Sequence, residues 1–128
     1  MTIKSSQKLV AEALEVIKTI SPEEALELSN KNECNLIDIR DTIELEKLGR
    51  IENSFHISRG LLEFAIQPES PFAQNNNLDF DKEIVLFCAA GGRSALAAKT
   101  LKEMGFEKVS HIEGGFGEMS SSGFKVIK

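Results

Sequence analysis

Four things are scarce in this 128-residue chain, and each scarcity removes a class of protein. There are two cysteines, Cys34 and Cys88, with no CxxC pair, so neither a disulfide framework nor zinc-ligand spacing is present and no metal is expected. There are two histidines, His56 and His111, and neither adjoins Cys88, so a protease-like Cys/His pair has no local signature. No apolar run approaches a membrane-spanning length, and the amino-terminal MTIKSSQKLVAEALEVIK is amphipathic and mixed in charge, without the apolar centre of a signal peptide. A cytoplasmic protein with no membrane partner is expected. Lysine and arginine number 15 against 20 aspartates and glutamates and never cluster, so nucleic acid is not an expected partner.

What is there is ordinary globular material: 41% hydrophobic and 27% charged residues, with the apolar ones spread in short blocks. One domain over residues 1–128 suffices, with a short leading helical extension over about residues 1–15, where Leu9, Val10, Ala13 and Leu14 recur with helical period. Val16 to Ile20 reads as a first strand. Ser21, Pro22, Glu23, Glu24 is a capping box with proline at the first helical position, opening a helix from Pro22 to about Ser29. After a polar turn, Asn30 to Asn35, the segment Leu36 to Arg40 reads as a second strand with a carboxylate, Asp38, embedded in it. Asp41 to Lys47 is a short helix, and Phe55, His56 and Ile57 form a short strand. Leu61 to Ile66 makes one or two helical turns, and the prolines and asparagines of Gln67 to Lys82 read as an irregular loop. Val109 to Ile112 is a last strand before a helical segment near Gly115 to Ser121 and an apolar tail, Phe124, Val126 and Ile127. Strands alternating with helices predict an α/β fold.

The centre of the chain is IVLFCAAGGRSALAAKTLKEM, Ile84 to Met104. Ile84 to Phe87 is an unbroken apolar run, hence a buried parallel strand, and it delivers Cys88 to its carboxyl end. Ala89, Ala90, Gly91 and Gly92 leave the backbone accessible, and Arg93 and Ser94 open an alanine-rich helix. In open α/β sheets ligands sit at the carboxyl ends of strands, and a helix amino terminus supplies N–H groups and positive dipole to an anion. A thiolate is the form of Cys88 that such a place favours. The competing reading is a small apolar residue filling the end of a core strand. Asp38 reads either as a structural acid bonding local N–H groups or Arg40, or as a participant in the site. Arg59, leaving the carboxyl end of a strand, is either a surface cation or a donor ligand.

Three segments resemble the rhodanese-like single-domain sulfurtransferases: LIDIRDTIELEKLGRI from Leu36 to Ile51, CAAGGRSALAA from Cys88 to Ala98, and IEGGF from Ile112 to Phe116. The resemblance implies a three-layer fold, a five-stranded parallel sheet with helices on both faces. It implies a persulfide carried on Cys88, a cradle of loop amides from Ala89, Ala90, Gly91, Gly92, Arg93 and Ser94, and no cofactor. The expected partners are a small-molecule sulfur donor, such as thiosulfate, and an acceptor, cyanide or a thiol, which a protein could also carry. Arg50, Glu52, Asn53 and Phe116 depart from the family's usual residues, and all four lie outside the cysteine loop in sequence.

Two other readings stand beside sulfur transfer. Cysteine phosphatases and arsenate reductases also hold a thiolate in an amide cradle closed by arginine, but their loop is one residue longer than the four residues between Cys88 and Arg93. A non-catalytic docking or sulfur-relay module is the other, and the presence of Cys88 argues against a purely docking role.

Overall fold

The computed structural model describes residues 2–128. Residue 1 of the expected leading extension lies outside them. Apolar blocks buried on both faces become strands of a parallel sheet, and the segments between them become the crossover helices that parallel connection requires. Five strands, β1 (Lys18–Ile20), β2 (Cys34–Asp38), β4 (Phe55–His56), β5 (Glu83–Phe87) and β6 (Val109–Ile112), form one sheet in the order β1-β6-β5-β2-β4, with every pair parallel. Strand β5, which leads into Cys88, is therefore central, flanked by β2 and β6.

Side chains alternate between two cores. On one face Ile37, Ile84, Leu86 and Cys88 pack against Ala97, Ala98 and Leu101 of helix α6 (Gly92–Glu103) and against Leu62 and Ile66 around helix α4 (Leu62–Ala65). On the other, Ile20, Leu36, Val85, Phe87 and Ile112 pack against Ala25 of α2 (Pro22–Asn30) and Phe116 and Met119 of α7 (Gly115–Ser120). The alanines of α6 let that helix lie close to the sheet. Among the described residues no helix is long and apolar enough to cross a membrane.

Several boundaries differ from the sequence expectation. Helix α1 (Ser6–Leu14) forms, but it buries only Ala13, and Leu9 and Leu14 remain exposed. The first strand begins at Lys18 rather than Val16. The second runs from Cys34 to Asp38, so Cys34 and Asn35 leave the expected turn and Ile39 and Arg40 leave the strand. The stretch expected as an irregular loop contains helix α5 (Pro71–Asn75), capped by Ser70 Oγ accepting from Ala73 N–H at 3.0 Å. Pro71, read as a loop marker, is its first residue, where the missing N–H costs nothing. The apolar tail ends in β7 (Val126–Ile127), antiparallel to β3 (Arg50–Ile51).

Candidate active site

Cys88 follows the last residue of β5 and is 1% exposed. Its Sγ accepts hydrogen bonds from the N–H groups of Gly91 at 3.2 Å and Ser94 at 3.3 Å. This convergence needs a tight turn: Gly91 has φ of +111°, a conformation L side chains rarely adopt, and α6 starts one residue later. The helix thus begins at Gly92, ahead of Arg93 and Ser94.

The turn is held from behind. Phe116 N–H donates to the Cys88 carbonyl at 2.8 Å and Gly117 N–H to the Ala89 carbonyl at 3.2 Å, so two loop carbonyls are tied to the start of α7. Gly115 makes the approach possible, since a Cβ built there would lie 2.4 Å from the Cys88 oxygen. The IEGGF segment therefore braces the cysteine loop through its backbone.

A cavity of about 320 Å³ opens over the loop, lined by Cys88, Ala89, Ala90, Gly92 and Arg93 and, from α1, by Ser6 and Val10. The contribution of α1 was not legible in the sequence, because nothing local says that an amino-terminal helix folds back onto a loop some eighty positions on. The larger cleft, about 630 Å³, lies at the amino ends of the strands beside Cys34. Burial and the nearby Glu83 carboxylate push the Cys34 thiol up to about 11, which leaves it protonated and unreactive.

Arg93 lines the cavity but its guanidinium is already engaged. Nη1 donates to Glu44 Oε2 at 2.8 Å and Nη2 to Oε1 at 2.9 Å, a bidentate pair. Glu44 comes from α3 (Thr42–Leu48), where its Oε2 also accepts from Asp41 N–H at 2.8 Å. The Arg93 hydrogen bonds, with that of Asp41, hold the Glu44 carboxyl down to about 2 from an ordinary 4.5. The sequence marks Glu44 only as a helix-start residue, three positions after Asp41, and nothing local pairs it with Arg93.

Ser94, fully buried, faces Cys88 with its Oγ 3.6 Å from Sγ, and the same Oγ lies 2.9 Å from Nδ1 of His111. His111 is buried beside Ser94, next to the cysteine loop. Asp38 is not brought to Cys88. It alternates to the opposite face, where its two oxygens hold the buried Arg40 through Nε and Nη2 at 2.8–3.1 Å. Arg40 also donates to the Gly49 carbonyl, and its guanidinium carbon sits 3.9 Å from the centre of the Phe116 ring. This is the structural-acid arrangement with Arg40. Arg59 is likewise absent from the cavity: it pairs with Glu63 at 2.8 Å and reaches Thr100, toward the far end of α6.

A central strand leading into a thiol, an amide-lined turn and a helix start define an α/β protein whose buried cysteine sits among backbone amides. The model of the rhodanese-like domain matches residues 21–122, and the chain belongs to that family. A solved structure from Rhodopseudomonas palustris, a protein of unknown function described as a possible tyrosine phosphatase, is 42% identical with a TM-score of 0.86, covering 99% of this chain and 98% of that one. The polysulfide-sulfur transferase homodimer of Wolinella succinogenes is 35% identical with a TM-score of 0.74, covering 94% of this chain and 85% of that one. The thiosulfate sulfurtransferase GlpE of Glaesserella parasuis is 28% identical over 80% of this chain and 85% of its own length. The tRNA uridine(34) hydroxylase of Chlamydia felis is 31% identical over 89% of this chain, but this chain spans only 36% of its length.

Proposed function

We propose that this rhodanese-like protein is a cytoplasmic sulfurtransferase that moves a sulfane sulfur from thiosulfate or a related donor to cyanide or a thiol by way of a Cys88 persulfide. The observation that carries the reading is the convergence of two backbone N–H groups on Cys88 Sγ at 3.2 and 3.3 Å. Beside them, the N–H groups of Ala89, Ala90, Gly92 and Arg93 have no protein acceptor among the described residues, so the turn holds further donors for an anionic outer sulfur. In the first step the Cys88 thiolate attacks the outer sulfur of thiosulfate, the S–S bond of the donor breaks, and its electron pair leaves on sulfite. In the second, the acceptor attacks the outer sulfur of the persulfide and Cys88 departs as thiolate. The reaction balances without a cofactor.

Such a covalent two-step route requires ping-pong kinetics, with parallel double-reciprocal lines as thiosulfate and cyanide are varied. Cys88→Ser is expected to abolish turnover and Cys34→Ser to preserve it. Intersecting lines with a competent Cys88→Ser protein would overturn the reading. The description of the Rhodopseudomonas neighbour favours phosphoryl chemistry as a second reading. Only four residues separate Cys88 from Arg93, and Arg93 is bound by Glu44, which leaves the ring small and its cation occupied. Hydrolysis of an aryl phosphate faster than sulfur transfer to cyanide would establish that alternative.

A further inference from the structure

A file of hydrogen-bonding side chains leads from Cys88 away from the cavity. Cys88 Sγ lies 3.6 Å from Ser94 Oγ, Ser94 Oγ lies 2.9 Å from His111 Nδ1, and His111 Nε2 lies 3.0 Å from Thr19 Oγ1. Cys88, Ser94 and His111 are 1%, 0% and 2% exposed, whereas Thr19 is at the surface on β1, the edge strand of the sheet. Thr19 and His111 are register partners across β1 and β6, which sets the last link. Cys88 and His111 are the only titratable side chains in this hydrogen-bonded file among the described residues.

Burial lowers the proton affinity of His111, so the imidazole is neutral, with one nitrogen a donor and the other an acceptor. A neutral imidazole between two hydroxyls can be hydrogen-bonded in either direction. We propose that Ser94, His111 and Thr19 form a proton relay that carries the Cys88 thiol proton to solvent at the sheet edge, separate from the cavity where a sulfur donor enters. The proposal rests on Cys88 being the nucleophile of sulfur transfer.

With Cys88 as a thiol, S–H donates to Ser94 Oγ, the Ser94 O–H to Nδ1, and Nε2–H to Thr19 Oγ1. On ionisation the sulfur proton passes to Ser94 Oγ, the Ser94 proton to Nδ1, the Nε2 proton to Thr19 Oγ1, and the Thr19 proton to water. One S–H bond breaks and its electron pair stays on sulfur. One proton leaves, and nothing is oxidised or reduced. His111 ends neutral as the opposite tautomer, with Nδ1–H donating to Ser94 and the Ser94 O–H turned toward the thiolate. The Gly91 carbonyl, 3.2 Å from Ser94 Oγ, competes for the same hydrogen, so rotation of the Ser94 hydroxyl opens and closes the relay.

The test uses the Cys34→Ser protein, in which Cys88 is the only thiol. Nitrogen NMR of its two histidines is followed through the Cys88 titration, with His56, bonded to the Arg40 carbonyl, as internal reference. His111 is expected to change from the Nε2–H to the Nδ1–H tautomer as the thiol ionises, and Ser94→Ala is expected to uncouple the two. In parallel, Thr19→Val should slow alkylation of Cys88 by iodoacetamide at neutral pH by about threefold to tenfold, the worth of one hydrogen bond, and Thr19→Ser should restore it. Thr19 is exposed and valine suits a strand, so the fold is not at stake. A His111 tautomer that stays fixed through the titration, or a Thr19→Val protein alkylated at the wild-type rate, would overturn the relay. Iodoacetamide needs no sulfur donor, so failure here leaves sulfur transfer standing, and failure to form a persulfide leaves these readouts intact.

Discussion

Glu44 and Arg93 tie the start of α3 to the start of α6, and the protonation of one carboxylate decides whether that tie holds. The folded Glu44 carboxyl lies near 2, below its ordinary 4.5, so its contribution to stability is complete above about 4.5 and is lost as pH falls from there toward 2. The Glu44 side chain is 24% and the Arg93 side chain 39% exposed, which limits the pair to about 1 kcal/mol after solvent screening. Melting temperatures measured between pH 2 and 6 should therefore fall less steeply in Glu44→Gln than in wild type. Equal slopes would show that the pair contributes nothing to acid stability. Because both Glu44 oxygens hold the guanidinium fork, Arg93→Ala is expected to lower thermal stability alongside Glu44→Gln and to change kcat/KM for thiosulfate by less than about tenfold. A larger fall in a folded Arg93→Ala protein would identify Arg93 as a direct ligand of the anionic donor, since a hydrogen bond to a charged group contributes about 1.5 to 3 kcal/mol.

At the scale of elements, the site is a strand end, a turn and two helix starts pressed together, and its tightest point is Gly115. Its φ of +56° and the 2.4 Å approach of a built Cβ to the Cys88 carbonyl mean that Gly115→Ala must push α7 and the cysteine turn apart. A stability loss of about 1 to 3 kcal/mol is expected from the strained backbone, with kcat falling more than affinity because the Sγ cradle is displaced. Denaturant unfolding and thiosulfate kinetics check this together; unchanged kinetics in Gly115→Ala would show that α7 does not brace the loop. Helix α1 lies outside the matched residues 21–122, yet Val10 and Ser6 wall the cavity. Val10→Ala is expected to lower KM for donors bulkier than thiosulfate and to leave thiosulfate itself little changed, in a competition assay between the two.

Much of this arrangement was legible beforehand because it is local. The apolar block before Cys88 specifies a buried strand, Ser21 and Glu24 specify a helix start, and the small residues after Cys88 specify a turn that lets amides approach sulfur. What stayed hidden depends on distant partners. Thr19 meets His111 only through the register of β1 and β6, Glu44 meets Arg93 only once two crossovers have closed, and the pairing of β7 with β3 joins residues far apart in sequence. Arg59 and Asp38 illustrate the reverse. One ends a strand and the other follows one, places compatible with a role at Cys88, and both are claimed by nearer partners, Glu63 for Arg59 and Arg40 for Asp38. Helix α5 was obscured because Pro71 signals either a loop or a helix start, and only the cap from Ser70 distinguishes them.

For the whole molecule, the sheet order places β5, the strand that leads into Cys88, between β2 and β6, so the thiol is positioned from both sides while its turn faces a small cavity. That combination suits one sulfur atom held among backbone amides. The most direct measurement is the intact mass of the reduced protein after incubation with thiosulfate. A gain of one sulfur atom, removed by cyanide, is predicted for wild type and for Cys34→Ser and should be missing from Cys88→Ser. A folded wild-type protein with a free Cys88 thiol that acquires no sulfur would contradict the sulfurtransferase account.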